Sequence, residues 1–178
     1  MTTSTDATLG DTAEARSVRT AILAGAQRFT DRPAIRMAGQ SLTYGQLVDR
    51  ATSAAASITA HASGASNPIV VQVGLSPDAV ALVLGVFLSG HPIVALDPHL
   101  PAERVSTILA ELEKHDRRAE FMIADAEHLD AARTVAADHS LPVTDLAAIT
   151  NQGAASGGAT TGFDNPDDLT SIQFTSGS

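Results

Sequence analysis

The sequence predicts an α/β fold in which helices cover both faces of a parallel sheet. Short runs of β-branched and apolar residues alternate along the chain with helical patterns of about 10–15 residues, which is typical of βαβ units. The run IVVQVG at 69–74 is almost entirely apolar, as expected of a strand that is buried on both faces. A chain of 178 residues is long enough for one such domain with its own core.

Composition and charge exclude several classes of function. The net charge of −9 disfavours a nucleic-acid partner and an anionic membrane surface, since both repel it. The absence of cysteine rules out disulfides, thiolate zinc sites and cysteine nucleophiles. The first residues contain no apolar signal region, and the most apolar stretch, 79–96, is broken by SGHP at 89–92. We therefore expect a cytoplasmic protein without a membrane partner.

The first part of the chain predicts a flexible terminus followed by a helix, a hairpin and a second helix. Residues 1–12 are small and polar, which favours a flexible N-terminus. Apolar residues at helical spacing, followed by DRP at 31–33, predict a helix with a defined end. The expected elements are a helix at 13–29, hairpin strands at 34–37 and 41–43, and a helix at 44–62.

From residue 69 onward, predicted strands and helices alternate. Ser76, Pro77 and Asp78 indicate a helix start, because Ser caps free amides, Pro suits the first turn and Asp favours the positive end of the helix dipole. Residues 151–168 are rich in Gly, Ala, Ser and Thr and predict a mobile connection. The expected elements are strands at 69–74, 93–96, 120–124, 142–144 and 169–174, and helices at 77–88, 101–112 and 126–138.

The end of the sequence is the strongest candidate site. The predicted strand at 169–174 runs into Thr175, Ser176, Gly177 and Ser178. Hydroxyl residues and glycine at this position bring donors to the edge where open α/β sheets bind ligands. Glycine also lets the backbone approach an anion closely, and consecutive amides can surround phosphate oxygens. A flexible tail without a ligand is the alternative that these residues alone leave open.

Three segments, in order, resemble the opening motifs of the adenylate-forming enzymes. This superfamily includes acyl-CoA synthetases, firefly luciferases and the adenylation domains of nonribosomal peptide synthetases. LTYGQL at 42–47 resembles the first motif, L-T/S-Y-x-E-L, with Gln46 in place of the usual Glu. FLSGHPIVALDP at 87–98 resembles the second motif, L-K-A-G-x-A-Y-V-P-L-D-P. FTSGS at 174–178 resembles the start of the third motif, which continues T-G-x-P-K-G in the family.

The resemblance extends beyond these motifs and has identifiable departures. PAER at 101–104 matches the family's continuation of the second motif. Ile93, Ala95 and Leu100 stand where the family usually has Tyr, Pro and Tyr, and all three remain apolar. We therefore expect 13–178 to form the N-terminal subdomain of an AMP-binding domain, incomplete because the sequence stops within the third motif.

The resemblance implies an ATP-dependent ligase. In the family, a carboxylic or amino acid and ATP give an acyl-adenylate and pyrophosphate, and a thiol of CoA or of a carrier protein's phosphopantetheine then takes the acyl group. The resemblance assigns Thr175, Ser176, Gly177 and Ser178 to phosphate binding and modestly favours the peptide synthetase branch. The family's acyl pocket, Mg²⁺ ligands and essential lysine lie further on. We therefore expect no catalytic residue, no tight binding of ATP or Mg²⁺, and no adenylation by this chain alone.

Alternatives of other kinds remain open. The chain could be a non-catalytic α/β interaction module whose exposed apolar edge binds a partner. It could also be one half of a split enzyme that a second polypeptide completes. An ordinary nucleotide-binding α/β domain is disfavoured, because its glycine loop would normally follow the first strand.

Other polar residues fit structural roles. Asp97 follows a predicted strand, and the resemblance assigns it to a turn. Asp97 and His99 alone do not make a metal site. Asp125, Glu127 and His128 are expected to face water at a helix start. The remaining histidines are scattered and no Ser–His–Asp set is indicated, so we expect no metal site.

Overall fold

The computed structural model describes residues 17–37, 39–63, 67–150 and 168–175. The predicted flexible terminus at 1–12 lies outside the described residues, and so does 151–167 of the predicted connection. The described elements, in chain order, are α1 (Val18–Arg28), β1 (Pro33–Met37), β2 (Gln40–Thr43), α2 (Tyr44–His61), β3 (Ile69–Gln72), α3 (Pro77–Ser89), β4 (Ile93–Leu96), α4 (Ala102–Lys114), β5 (Met122–Ala124), α5 (Leu129–Ala137), β6 (Val143–Asp145) and α6 (Leu146–Thr150).

A parallel sheet forms the centre of the fold. Its strands lie in the order β4-β3-β5-β6, while β1 and β2 form a separate antiparallel hairpin. Every residue of β3 is buried, which explains why Ile69, Val70 and Val71 are consecutive apolar residues rather than alternating ones. The predicted α/β fold with a parallel sheet is confirmed.

Alternating strand residues contribute to two cores, one on each face of the sheet. Val70 packs in a cluster with α4 and α5, whereas Ile69 and Val71 pack in a cluster with α2, α3 and α6. Successive side chains of a strand point to opposite faces, so helices cover both faces, as predicted. A smaller cluster joins α1 to α2 and α3 on the second face.

Helices α2 and α3 approach each other closely at Gly85. A Cβ atom on Gly85 would lie 2.7 Å from the Ala54 Cβ and 2.9 Å from the Ala51 carbonyl oxygen. Ala51 and Ala54 are themselves completely buried. Small side chains on both helices therefore set the short distance between them, and this explains the alanine-rich face of α2.

Side-chain caps fix the starts of α3 and α2. The Ser76 hydroxyl accepts a hydrogen bond from the Ala79 amide at 3.0 Å, and Pro77 is the first helical residue, as predicted. Thr43 and Gln46 form a capping box at α2. The Gln46 amide donates to Thr43 Oγ1 at 3.2 Å, and the Thr43 amide donates to Gln46 Oε1 at 3.0 Å. Because Gln and Glu both present an acceptor oxygen here, the departure from the family's Glu leaves the cap intact.

The predicted strand at 169–174 is wrong in extent. The described segment 168–175 makes one parallel bridge, between Ser171 and Ile93. The Ile93 amide donates to the Thr170 carbonyl at 3.0 Å, and the Ile172 amide donates to the Ile93 carbonyl at 2.9 Å. Beyond β4, this segment lies at the edge of the sheet, and no described strand pairs with its outer side. Within the described residues, pairing of this segment with β4 is limited to this single bridge.

The end of the βα pattern also differs from the prediction. The helix predicted at 126–138 begins later, at Leu129, and the strand predicted at 142–144 is followed by α6, which the sequence did not predict. The Asp145 carboxylate accepts a hydrogen bond from the Ala147 amide at 2.8 Å, which supports the start of α6. This helix has five residues, of which Leu146 and Ile149 are buried. So short a helix shows too few turns for a periodic pattern.

Candidate functional site

The carboxyl ends of the parallel strands bring several polar residues to one edge of the sheet. Gly74 lies just after β3, Asp97 follows β4, and Asp125 follows β5. Since Ser171 pairs in parallel with Ile93, the segment leading to Thr175 leaves the sheet at this same edge. This is the edge at which open α/β sheets bind ligands.

Thr175 is the one predicted site residue within the described part of the chain. It is exposed, and its carbonyl oxygen accepts a hydrogen bond from Arg104 Nη2 at 3.1 Å. Just before it, Ile172 and Phe174 pack against the core under α4 and α5. The other predicted site residues, Ser176, Gly177 and Ser178, lie outside the described residues, so their role in phosphate binding stays a prediction.

Arg104 also lies at this edge, although it is not one of the predicted site residues. It lies in the first turn of α4 and is half-buried. Its guanidinium therefore places a positive charge beside the backbone of Thr175, the first of the predicted phosphate-binding residues. The available signal was its position in PAER, which follows the second motif.

Asp97 organises the turn between β4 and α4. Its carboxylate accepts a hydrogen bond from the His99 amide at 2.8 Å and faces the His99 Nδ1 at 3.2 Å. The Leu100 amide donates to the Asp97 carbonyl at 3.1 Å. The hydrogen bond from the His99 amide, together with that from its side chain, holds the pKa of Asp97 below its usual value. These contacts agree with the structural turn that the resemblance assigns to Asp97.

Asp125 joins three parts of the edge and does not simply face water, as the sequence had suggested. Its carboxylate accepts hydrogen bonds from the Gly74 amide at 2.6 Å, the His128 amide at 3.1 Å and the His128 Nδ1 at 2.6 Å. Burial alone would raise the pKa of Asp125, but these hydrogen bonds outweigh it, and the pKa lies below its usual value. Glu127 is exposed, as expected. The spacing D-x-x-H was the available signal, since the first carboxylate can cap the turn that precedes α5.

The fold also brings His99 and His128 together, from the loops after β4 and β5. Their ring centroids lie 5.7 Å apart, with an angle of 77° between the ring planes. The His128 side chain is 16% exposed, and that of His99 is 83% exposed. Nothing in the local sequence predicts this contact, because the two residues belong to different βα units.

A serine, a histidine and a glutamate form a second cluster, which the sequence did not indicate. Ser106 Oγ lies 2.9 Å from His139 Nε2, and His139 Nδ1 lies 3.4 Å from a Glu113 carboxylate oxygen. Ser106 and Glu113 lie about two turns apart on one face of α4. The amides around Ser106 serve the hydrogen bonds of the helix, so they are not free to stabilise an oxyanion. The cluster therefore links α4 to the end of α5.

An apolar cavity of about 560 Å³ opens beside the same edge, between α3 and β4. Val80, Val83 and Ala95 contribute to its wall, and Asp97 and His99 lie at its rim. Leu75, also in the lining, is 81% exposed. Apolar surface of this kind is typical of a binding or packing surface.

The part of the chain that the structure describes contains no group of three or more His, Asp or Glu residues that could hold a metal ion. None of the described helices combines the length and apolar character needed to cross a membrane.

A parallel sheet with polar turns at its carboxyl edge, and a hydroxyl-bearing segment leaving that edge, is the arrangement in which open α/β domains usually bind ligands. The sequence matches the AMP-binding enzyme family over residues 23–178. The chain belongs to this family, and the resemblance identified from the three motifs is confirmed.

Similar proteins include peptide synthetases and a carrier-protein ligase. The chain is 30% identical over 148 residues to tyrocidine synthase 3 of Brevibacillus parabrevis, which covers 83% of the chain and 2% of that protein. It is 35% identical over 77 residues to the D-alanine–D-alanyl carrier protein ligase of Bacillus velezensis, which covers 43% of the chain and 15% of that protein. The chain thus spans a small part of the length of these relatives.

A solved structure confirms the fold at the level of the subdomain. The N-terminal subdomain of Klebsiella oxytoca NpsA, in complex with 3-hydroxyanthranilyl-AMSN, superposes with a TM-score of 0.75 at 21% identity. The match covers 92% of this chain and 38% of that chain. The fold is therefore that of the N-terminal subdomain of an adenylation enzyme, as predicted.

Proposed function

We propose that this chain is the N-terminal part of an ATP-dependent ligase that activates a carboxylic or amino acid. A carboxylate oxygen attacks the α-phosphorus of ATP, the bond to the bridging oxygen breaks, and pyrophosphate leaves. A thiol then attacks the acyl carbon of the acyl-adenylate, and AMP leaves. The observation that carries this proposal is the position of Thr175, which leaves the sheet at its ligand-binding edge with its carbonyl held by Arg104.

The residues at this edge have the chemistry needed for a polyphosphate. The exposed Thr175 hydroxyl and the following Ser176, Gly177 and Ser178 would donate hydrogen bonds to the β- and γ-phosphates of ATP. Arg104 adds a positive charge in a chain whose net charge is −9. Charge-assisted hydrogen bonds and consecutive amides are the usual partners of phosphate oxygens. Adenylation depends on stabilising the charge that develops on these oxygens.

The remaining machinery is proposed to come from the rest of the adenylation domain. It would supply the acid-binding pocket and the Mg²⁺ ligands, so the chain alone should not adenylate. The similarity to a peptide synthetase and to a carrier-protein ligase supports the phosphopantetheine thiol of a carrier protein as the acceptor, in preference to CoA.

Reading the coding sequence beyond Ser178 and assaying its full product tests the proposal. We expect the sequence to continue T-G-x-P-K-G and the product to catalyse carboxylate-dependent ATP–pyrophosphate exchange. Residues 1–178 alone should stay at background. Thr175→Val should lower exchange, whereas Thr134→Val, at an exposed position on α5, should not. Exchange by residues 1–178 alone, or an unchanged rate in Thr175→Val, would contradict the proposal.

The apolar cavity beside β4 favours a second candidate, in which the chain is an interaction module or one half of a split enzyme. Exposed Leu75 and the walls formed by Val80 and Val83 would then pack against a separate polypeptide. A stop codon directly after Ser178 would support this candidate. Exchange activity restored by a second polypeptide would identify a split enzyme, and its absence a non-catalytic module.

A further inference from the structure

Two carboxylate–histidine pairs lie next to each other at the carboxyl edge of the sheet. Asp97 Oδ1 is 3.2 Å from His99 Nδ1, and Asp125 Oδ1 is 2.6 Å from His128 Nδ1. The two imidazole centroids are 5.7 Å apart. Each pair comes from a single loop, but the sheet places the loops side by side.

Each aspartate determines which nitrogen of its histidine is available. A carboxylate oxygen only accepts hydrogen bonds, so Nδ1 of each ring must carry the proton and donate it. In the neutral ring, Nε2 then keeps its lone pair. The hydrogen bonds that both rings make with described residues go through Nδ1, which leaves two Nε2 atoms as potential metal ligands.

Each of the two histidines has a carboxylate partner at Nδ1, as metal-binding histidines often do. A ligating imidazole usually donates its other N–H to a carboxylate or carbonyl, which fixes its tautomer and increases its basicity. Here both rings are oriented by carboxylates, and that of Asp125 is itself held by the Gly74 amide at 2.6 Å. His128 is therefore a fixed ligand, while the 83% exposed His99 can adjust its ring.

The separation of the rings suits a shared ion. With a zinc–nitrogen distance of about 2.0–2.1 Å, two imidazoles on a tetrahedral zinc have centroids about 5 Å apart. The observed centroid distance of 5.7 Å is close to this value. The nearby carboxylates of Asp97 and Asp125 would offset part of the charge of the cation.

We propose that His99 and His128 bind a divalent transition-metal ion, with Zn²⁺ as the probe, through their Nε2 atoms, and that water completes the coordination. Imidazole ligands favour zinc, nickel or copper over Mg²⁺, so this site is separate from the ATP-dependent chemistry proposed above and does not rest on it. The proposal requires the tertiary contact, because neither histidine has a second imidazole near it in sequence.

Isothermal titration of the purified chain with zinc chloride at pH 7.5 tests this site. We expect one equivalent of zinc to bind, with an affinity at least about tenfold lower in His99→Ala. Asp97→Asn replaces the exposed carboxylate that faces His99 Nδ1 with a neutral amide and should weaken binding by about 10–100-fold. His115→Ala, at an exposed position directly after α4, is the matched control and should bind zinc like the wild type.

A further measurement distinguishes zinc binding at this site from zinc binding by other histidines of the chain. In NMR spectra of the imidazole groups, zinc should shift the resonances of His99 and His128 first. Absence of one-equivalent binding, or equal affinity in the wild type and His99→Ala, would overturn the proposal. Because His99 is exposed, this variant is expected to fold, and a circular dichroism spectrum checks that it does.

Discussion

The Asp125 carboxylate accepts a hydrogen bond from the Gly74 amide at 2.6 Å, and this bond joins the ends of two neighbouring parallel strands. The same side chain accepts two hydrogen bonds from His128 and so holds the turn that leads into α5. One carboxylate thus positions the residue after β3, the loop after β5 and the ring that meets His99. The edge of the sheet owes much of its geometry to this residue.

Replacing Asp125 with Asn should destabilise the fold. The substitution turns one acceptor oxygen into an amide donor, which would face the Gly74 amide or the His128 donors. Hydrogen bonds to a charged group contribute about 1.5–3 kcal/mol, and we expect a loss of unfolding free energy of that order in urea denaturation. Asp130→Asn, at a 99% exposed position on α5, should change it little. Equal stability of the two variants would contradict this role of Asp125.

The contribution of Asp125 should disappear in acid. Its pKa in the folded chain lies below the value of 3.8 for an unperturbed aspartate, so between the two values the unfolded state binds more protons. Stability from this carboxylate is therefore present above about pH 4 and is lost as the pH falls through the folded pKa. The difference in unfolding free energy between wild type and Asp125→Asn should shrink below about pH 4. A difference that stays constant down to pH 2 would argue against the proposed cause.

Adding a methyl group at Gly85 should destabilise the packing of α2 on α3. The new Cβ would lie 2.7 Å from that of Ala54, and overpacking of this kind costs about 1–3 kcal/mol. Gly25→Ala, in α1, is the matched control, because a Cβ atom at this position would have no neighbouring heavy atom within 4 Å beyond the helix itself. This control should gain about 0.5–1 kcal/mol, since alanine favours a helix over glycine. Thermal unfolding of both variants would show shifts of opposite sign.

The capping box at the start of α2 should tolerate the family's usual residue. Gln46→Glu keeps the acceptor for the Thr43 amide and adds a negative charge at the helix N-terminus. We expect a stability equal to the wild type or greater by about 0.3–1 kcal/mol. Thr43→Ala removes the acceptor of the Gln46 amide and should cost about 1 kcal/mol. Urea denaturation of both variants measures these effects. A destabilised Gln46→Glu variant would show that the first turn of α2 requires a neutral side chain at this position.

Arg104 should affect the use of ATP in the complete enzyme, if the proposed function is right. Its guanidinium holds the Thr175 carbonyl at 3.1 Å. We expect Arg104→Ala to raise the KM for ATP about tenfold, corresponding to about 1.4 kcal/mol, and Arg104→Lys to recover part of this loss. ATP–pyrophosphate exchange by the full-length product measures both.

The matched control for Arg104 is Arg133→Ala, which removes a guanidinium that is 57% exposed on α5. Its KM for ATP should equal that of the wild type. An Arg104→Ala enzyme with unchanged KM for ATP would show that the hydrogen bond to Thr175 serves only to hold the segment in place.

The sequence alone determined most of the elements and the family. The buried run at 69–74 predicted β3 because a strand that is covered on both faces has apolar side chains on both faces. Ser76 and Pro77 predicted the start of α3 because capping depends on adjacent residues only. The three motifs, read in order, identified the family because each is a short, continuous segment.

Only the tertiary structure decided how distant segments meet. The strand order, the single bridge at Ser171, the contact of His99 with His128 and the close approach at Gly85 each depend on neighbours from other parts of the chain. Local periodicity reports which face of an element is apolar, but it does not identify the element that covers that face. The role of Asp125 was missed for the same reason. The prediction that it faces water considered only the helix next to it in sequence, whereas its partner Gly74 follows the strand next to it in space.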